Sequence, residues 1–346
     1  MRSRSSWGGG FVPHSVAVFG AAGFTGALTA KLLYDHPSFD LRAITARSEV
    51  GRRLDDLYPH HRVPLELEEL DLDLHAAVDA AVVAYPHGAA APLVKALRER
   101  AVRVVDLSAD FRLRDPAVYE VWYRPHPTTD LLDEAVYGLP EHYREQIRGA
   151  DLVANPGCYP TAALLALGPL ARHGLIADVV IDAKSGVSGA GRAASDKTHF
   201  VSVDENVSAY GVPRHRHTPE IEQELRALDP AHPELRITFT PHLLPLDQGE
   251  LVSCYVTGNG TLEEIDLDAL YAGAYAGEPF VELTPTPPGV RDVRETNFCR
   301  ISVHRDPRTA RAIVFAVIDN LWKGAASQAV QNLNLMFALP EGEGIS

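Results

Sequence analysis

Short apolar runs and amphipathic stretches alternate through the first 155 residues. HSVAVFG at 14–20 is apolar and β-branched, meets a glycine turn, and gives way at 25–34 (TGALTAKLLY) to apolar positions at helical spacing. That is the order strand, tight turn, helix. Strand-like runs follow at 41–46, 80–85, 102–107 and 152–154, with a helical stretch at 89–99. Strands separated by helices predict right-handed βαβ crossovers, hence an α/β, Rossmann-type, doubly wound parallel sheet with helices on both faces. After residue 155 the texture changes: apolar runs at 179–183, 235–240, 251–257 and 312–318 have fewer helices between them. This predicts a second, mixed α+β domain with an antiparallel sheet, in which TPTPPG at 284–289 is a loop. Residues 324–339 resume helical spacing. An amphipathic end needs a partner, so that helix is expected to return to the first domain. The expected division is 1–155 with 320–346 in one unit and 156–319 in the other.

A length of 346 residues suits two domains, and 46% apolar residues is enough to fill both cores. The 46 acidic residues outnumber the 32 basic ones, a net charge of −14. Such a balance repels phosphate backbones and excludes nucleic acid and anionic membranes as general partners. No stretch of about 18 consecutive apolar residues is present, and MRSRSSWGGGF at 1–11 lacks the apolar core of a secretory signal. Cys158, Cys254 and Cys299 lie far apart with no CxxC spacing, which argues against a disulfide scaffold or a zinc-cysteine site and fits a reducing cytoplasm.

The turn Gly20-Ala-Ala-Gly23-Phe24-Thr25-Gly26 joins the first strand to the first helix. Glycines there let the backbone approach a pyrophosphate, which the helix N-terminus attracts. An acidic residue commonly ends the second strand of an NAD site, whereas this chain has Arg47 and Ser48. Both suit the 2′-phosphate of NADP; the plain alternative is a surface arginine paired with Glu49. Cys158 in NPGCYPT at 155–161 follows a Pro-Gly turn and precedes an apolar helix, so the helix dipole is expected to favour its thiolate at the ligand-binding edge of the sheet. Cys254 and Cys299 sit in strand-like runs and read as core. SGVSGAGR at 185–192 is a second glycine loop able to face an anion, with Arg192 adding charge. In His215-Arg-His217-Thr-Pro, Thr218 is expected to cap a helix, with His217 just before it and Glu220 or Glu222 available to orient the imidazole. No third or fourth ligand at metal-site spacing accompanies the two histidines, so no metal is expected.

The chain resembles the N-acetyl-γ-glutamyl-phosphate reductases of arginine biosynthesis, within the aspartate-semialdehyde dehydrogenase-like superfamily, over nearly its whole length. The resembling segments are VAVFGAAGFTG (16–26), VVDLSADFRL (104–113), VYGLPE (136–141), NPGCYPTAAL (155–164), SGVSGAGR (185–192), HRHTPEIEQEL (215–225) and DNLWKGAASQAVQNLNLMF (319–337). The resemblance implies reduction of a small-molecule acyl phosphate to an aldehyde with NADPH, through a thioester on Cys158, with His217 as acid/base. It also implies that Pro86 and His87 line the adenine or pyrophosphate side, that Ser188 and Gly189 approach the nicotinamide, and that Asn320 reaches back toward it. Arg112 is the first candidate for the substrate phosphate and Arg192 the second; the alternative for Arg112 is an ion pair with Asp106, Asp110 or Asp115. A homodimer or homotetramer is implied as well. Trp122, Trp322 and Ser327 depart from the family's usual residues. Three other readings stay open: the lysine-pathway reductase acting on a carrier-protein-linked aminoadipyl phosphate, aspartate-semialdehyde dehydrogenase, and a non-catalytic NADP-binding sensor.

Overall fold

The computed structural model describes residues 12–345; the signal-like reading of residues 1–11 therefore lies outside the described residues. Seven strands form the first sheet: β1 His14–Phe19, β2 Phe39–Thr45, β3 Leu67–Glu68, β4 Ala80–Val83, β5 Arg103–Asp106, β6 Val136–Tyr137 and β7 Leu152–Ala154. Their order is β3-β2-β1-β4-β5-β7-β6, and every pairing is parallel. The strands are apolar on both faces because both are covered. Along β1, Val16 and Val18 enter one core cluster while Ala17 and Phe19 enter the other.

The second sheet holds β8 Ile176–Ser185, β9 Ser208–Ala209, β10 Ile237–Leu243, β11 Glu250–Gly258, β12 Val281–Leu283, β13 Cys299–Asp306 and β14 Arg311–Ile318, in the order β12-β13-β14-β11-β8-β10-β9. The sheet is mixed and not wholly antiparallel as expected: β10 runs parallel to β8, and β12 parallel to β13. The β8–β10 connection carries the helix Thr218–Leu228, long enough for a crossover that returns the chain in the same direction. One face of this sheet packs on the helix Cys158–Arg172, buried at every position from Tyr159 to Ala171.

The C-terminal segment returns to the first sheet as expected, where Ala326, Ala329, Val330 and Leu333 join Val16 and Val18. It is not one regular helix. A π-helical turn, Trp322–Ala326, precedes the α-helix Ser327–Met336. The turn has two evident anchors: Asp319 accepts from the backbone N–H groups of Leu321 and Trp322, and Gly324 lies against Cys158, where an added Cβ would come within 2.8 Å of the Cys158 Cβ. Inserted π turns of this kind commonly mark functional sites. Ser327 is buried, and its hydroxyl donates to Asn297 Oδ1 at 2.7 Å.

Candidate active site

A cleft enclosing about 910 Å³ opens between the two sheets. Residues following β1, β4, β5 and β7 line one wall, the edge where open α/β sheets hold ligands; the loop after β8, His217 and the segment after β14 line the other. Gly20 has φ +95°, and a side chain there would meet the Ala84 carbonyl oxygen at 2.5 Å. Gly26 packs as closely on Gly20, with 2.3 Å between a built Cβ and the Gly20 oxygen. These two glycines make the turn, while Gly23, Phe24, Thr25 and Gly26 face the cleft. The helix Phe24–Asp35 starts there with no side-chain cap, so its N-terminal N–H groups are left for a ligand.

Arg47 and Ser48 are exposed at the end of β2. The expected Glu49 partner of Arg47 is taken by others: Glu49 accepts from Arg52 at 2.8 Å and from Arg192 at 3.0 Å. Arg192 therefore reaches the β2 edge, away from the position assigned to a substrate phosphate. Pro86 is exposed, and the cleft is lined by its neighbours Tyr85 and His87. Asn320 binds Ser188 Oγ through Nδ2 at 3.1 Å and accepts from Gly249 N at 2.7 Å. A Cβ on Gly189 would lie 3.6 Å from Asn320 Nδ2, so these three expected residues come together.

Cys158 opens its helix directly after the Asn155-Pro-Gly turn, with Gly157 as N-cap. Glu220 ties the turn to the second half: its Oε1 accepts from Gly157 N at 2.9 Å and from the Tyr137 hydroxyl at 2.8 Å, and its Oε2 faces Arg112 Nη1 at 3.4 Å. Arg112 also donates to the carbonyls of Asn155 (2.7 Å) and Leu107 (2.9 Å). Its ion-pair partner is thus Glu220 and none of the three aspartates considered. Asp106 binds Ser108, Asp110 accepts from Gly88, Ala90, Ala91 and Tyr119, and Asp115 caps the helix Pro116–Trp122.

His217 itself is the N-cap, and Thr218 is the first helical residue. No carboxylate orients the imidazole: Glu220 is engaged as above, Glu222 binds Arg226 and the Ile237 N–H, and the buried His217 Nδ1 has no partner. The ring stands beside the Cys158 turn, since a Cβ on Gly157 would lie 2.5 Å from its Nε2. Burial holds the imidazole well below its ordinary pKa, and His215, Arg112, His87 and Arg216 add to the push; the ring is neutral. His87 is lowered to about 3, again mainly by burial.

The thiol departs from expectation. Burial pushes Cys158 well above the ordinary cysteine value, and the Glu250 carboxyl adds to the rise; the Tyr159 N–H and Arg112 only oppose it. Desolvation outweighs the helix terminus, and the ligand-free group is a thiol. Sequence reasoning missed Glu250, which opens β11 one residue before the predicted run. It continues the core-facing alternation of Val252, Cys254 and Val256, and that spacing was the available signal. Cys254 and Cys299 are core residues whose thiols burial raises. Among the described residues no three His, Cys, Asp or Glu groups converge as a metal site, and no helix is long and apolar enough to cross a membrane.

Residues 15–150 match the family model of the semialdehyde dehydrogenase NAD binding domain, and 158–320 that of the semialdehyde dehydrogenase dimerisation domain. The chain is 50% identical over 338 residues to the N-acetyl-gamma-glutamyl-phosphate reductase of Desulforudis audaxviator, a match covering 95% of this chain and 97% of that protein. It is 46% identical over 336 residues to the enzyme of the same name from Dehalococcoides mccartyi (strain BAV1), covering 96% and 97%. Aspartate semialdehyde dehydrogenase II of Vibrio cholerae shares the fold, with a TM-score of 0.71 at 20% identity over 94% of this chain and 99% of that one. On relatives this similar along almost their entire length, the chain belongs to the N-acetyl-gamma-glutamyl-phosphate reductase family of semialdehyde dehydrogenases.

Proposed function

We propose that this chain reduces N-acetyl-γ-glutamyl phosphate to N-acetyl-L-glutamate 5-semialdehyde, releasing phosphate, with NADPH as reductant and Cys158 as nucleophile. The observation that carries the reading is one cleft shared by the glycine turn, the Cys158 thiol and the His217 imidazole. The uncapped helix start at Gly23 to Gly26 fits a pyrophosphate. Arg47 and Ser48, with Arg192 nearby, fit the 2′-phosphate end, and Ser188, Gly189 and Asn320 fit the nicotinamide end. Bound there, the cofactor supplies hydride.

The chain's own groups do the rest. Cys158 Sγ attacks the acyl carbon and expels phosphate, leaving a thioester. Arg112 faces the cleft with charge only partly offset by Glu220, and balances the leaving phosphate. His217, a neutral ring with one N–H, donates a hydrogen bond to the reacting carbonyl oxygen. We assign the first sheet and the C-terminal helix to nucleotide binding, the second sheet to catalysis and self-association, and the protein to the cytoplasm. Val180, Leu251, Tyr255, Ile313 and Phe315 are half-buried on the face of the second sheet opposite its core, and this face suits a second copy of the chain.

The reading is tested in the reverse direction, with NADP, phosphate and the semialdehydes of N-acetylglutamate, aminoadipate and aspartate in turn. NADPH formation with the N-acetylglutamate compound, abolished in Cys158→Ala while NADPH still binds, is expected; activity confined to either other compound overturns it.

A further inference from the structure

Glu250 has no structural task that its surroundings explain. It is wholly buried, and it points into the core because it pairs with Ser185 on β8 and Ile318 on β14 in phase with Val252, Cys254 and Val256. Neither carboxyl oxygen has a hydrogen-bond partner of ordinary geometry. A carboxyl buried among aliphatic side chains without a partner is costly, and an alanine or valine would fill the register without that cost. Its backbone is nevertheless held firmly. Gly249 N donates to Asn320 Oδ1 at 2.7 Å, and the Gly249 carbonyl accepts from Gly186 N at 2.9 Å. The side chain that it meets is the cleft-lining thiol of Cys158.

We infer that Glu250 is the proton acceptor for Cys158: the carboxylate takes the thiol proton as sulfur becomes the nucleophile. As Sγ closes on the acyl carbon, the S–H proton passes to a Glu250 oxygen and the sulfur lone pair forms the C–S bond. The C–O bond to phosphate breaks with its electron pair on the phosphate. After hydride from the nicotinamide has reduced the thioester, the aldehyde leaves sulfur with the C–S pair remaining as thiolate, which recovers the same proton from Glu250.

The groups around Glu250 support this role. Facing it are Cys158 and Tyr159 from the Cys158–Arg172 helix, Tyr210 beside β10, Cys299 on β13 and Asp319 after β14. None of these is basic. Burial, with Asp319 adding to it, raises the carboxyl to about 8, and an acceptor poised near working pH transfers protons most efficiently. His217 does not compete for the task, because burial and four neighbouring basic side chains keep its ring from holding a proton.

The substrate arm of the test rests on the reductase reading, but the thiol arm does not. Cys158 alkylation by iodoacetamide, a neutral reagent, is followed by mass spectrometry between about pH 6 and 10. In the wild-type protein the rate should rise first with the Glu250 limb near 8 and again where the thiol itself ionises. Glu250→Gln should lose the first limb and alkylate at least ~10-fold more slowly at about pH 8, and Glu250→Asp should keep part of it. With substrate, Glu250→Gln should lower kcat at least ~10-fold with KM little changed. Bound NADPH reports that each variant is folded. A single high-pH limb in the wild type, or a Gln variant that alkylates as fast or faster, overturns the inference. If the thiol arm behaves as expected while no variant and no wild-type protein reduces the acyl phosphate, the reductase reading falls and the proton-acceptor assignment stands.

Discussion

Gly157 offers a direct test of whether the imidazole beside the cysteine turn works in place. Its backbone, φ −69° and ψ 157°, is open to any residue, so Gly157→Ala strains nothing in the main chain. The new methyl would stand 2.5 Å from His217 Nε2, 2.8 Å from Cε1 and 3.0 Å from Arg112 Nη1. Ordinary contact needs about 3.5 Å, so the ring must retreat by roughly 1 Å, whereas the guanidinium has to give about half as much. Displacements of about 1 Å in a reacting constellation cost on the order of 10²-fold in rate, and that drop in kcat is expected. NADPH affinity should stay within about twofold, since the glycine turn that we assign to the cofactor is untouched. The assay is steady-state acyl-phosphate reduction by Gly157→Ala, His217→Ala and the double variant. If the methyl acts through the imidazole, adding it to His217→Ala costs almost nothing further. Gly157→Ala turning over within about threefold of the wild type, or a fully additive double variant, refutes the argument.

Two other perturbations have defined outcomes. Arg47→Gln should weaken NADPH by roughly 10- to 100-fold, the loss of one charge-assisted contact, and leave NADH nearly unchanged in a fluorescence titration; equal weakening of both would move the 2′-phosphate elsewhere. Gly20→Ala combines a left-handed φ with a backbone clash at 2.5 Å and should cost roughly 2–4 kcal/mol, read as a lower midpoint in denaturant; an unchanged midpoint contradicts the tight turn.

The parallel sheet was legible because burial on both faces leaves continuous apolar runs, and the observed bounds of β2 and β7 fall within a residue or two of the expected ones. The two-residue strands β3, β6 and β9 were not, since a pair of residues has no period to detect. Parallel pairing of β8 with β10 escaped for a different reason: alternation along a strand is the same whichever way its neighbour runs. Cys158 was legible from the Pro-Gly turn between a strand and a helix, all within a few residues. Its protonation was not, because the helix terminus that lowers a thiol is local in sequence while the burial and the Glu250 carboxyl that raise it come from β11, far along the chain. Arg112 shows the same limit, its partner Glu220 being contributed by a helix in the other half.

A resting site with thiol and imidazole both neutral follows from how the two halves meet. Each group sits where apolar packing and neighbouring backbone have removed most of the water, so forming a thiolate–imidazolium pair would mean separating charge in a medium that repays it poorly. The one ion pair already buried there, Arg112 with Glu220, does not relieve this cost, since its two charges largely cancel for any third group. A proton must therefore move only when substrate brings a centre on which the sulfur electrons can be spent, and it must move over a short path to an acceptor that is uncharged once it has arrived. A carboxylate becoming a carboxylic acid satisfies both conditions, whereas an imidazole becoming imidazolium satisfies neither among four cation-forming neighbours. On this ground the division of labour is physical: the carboxyl on β11 handles the sulfur proton from behind, and the imidazole, kept neutral, remains free to serve the carbonyl oxygen from the front.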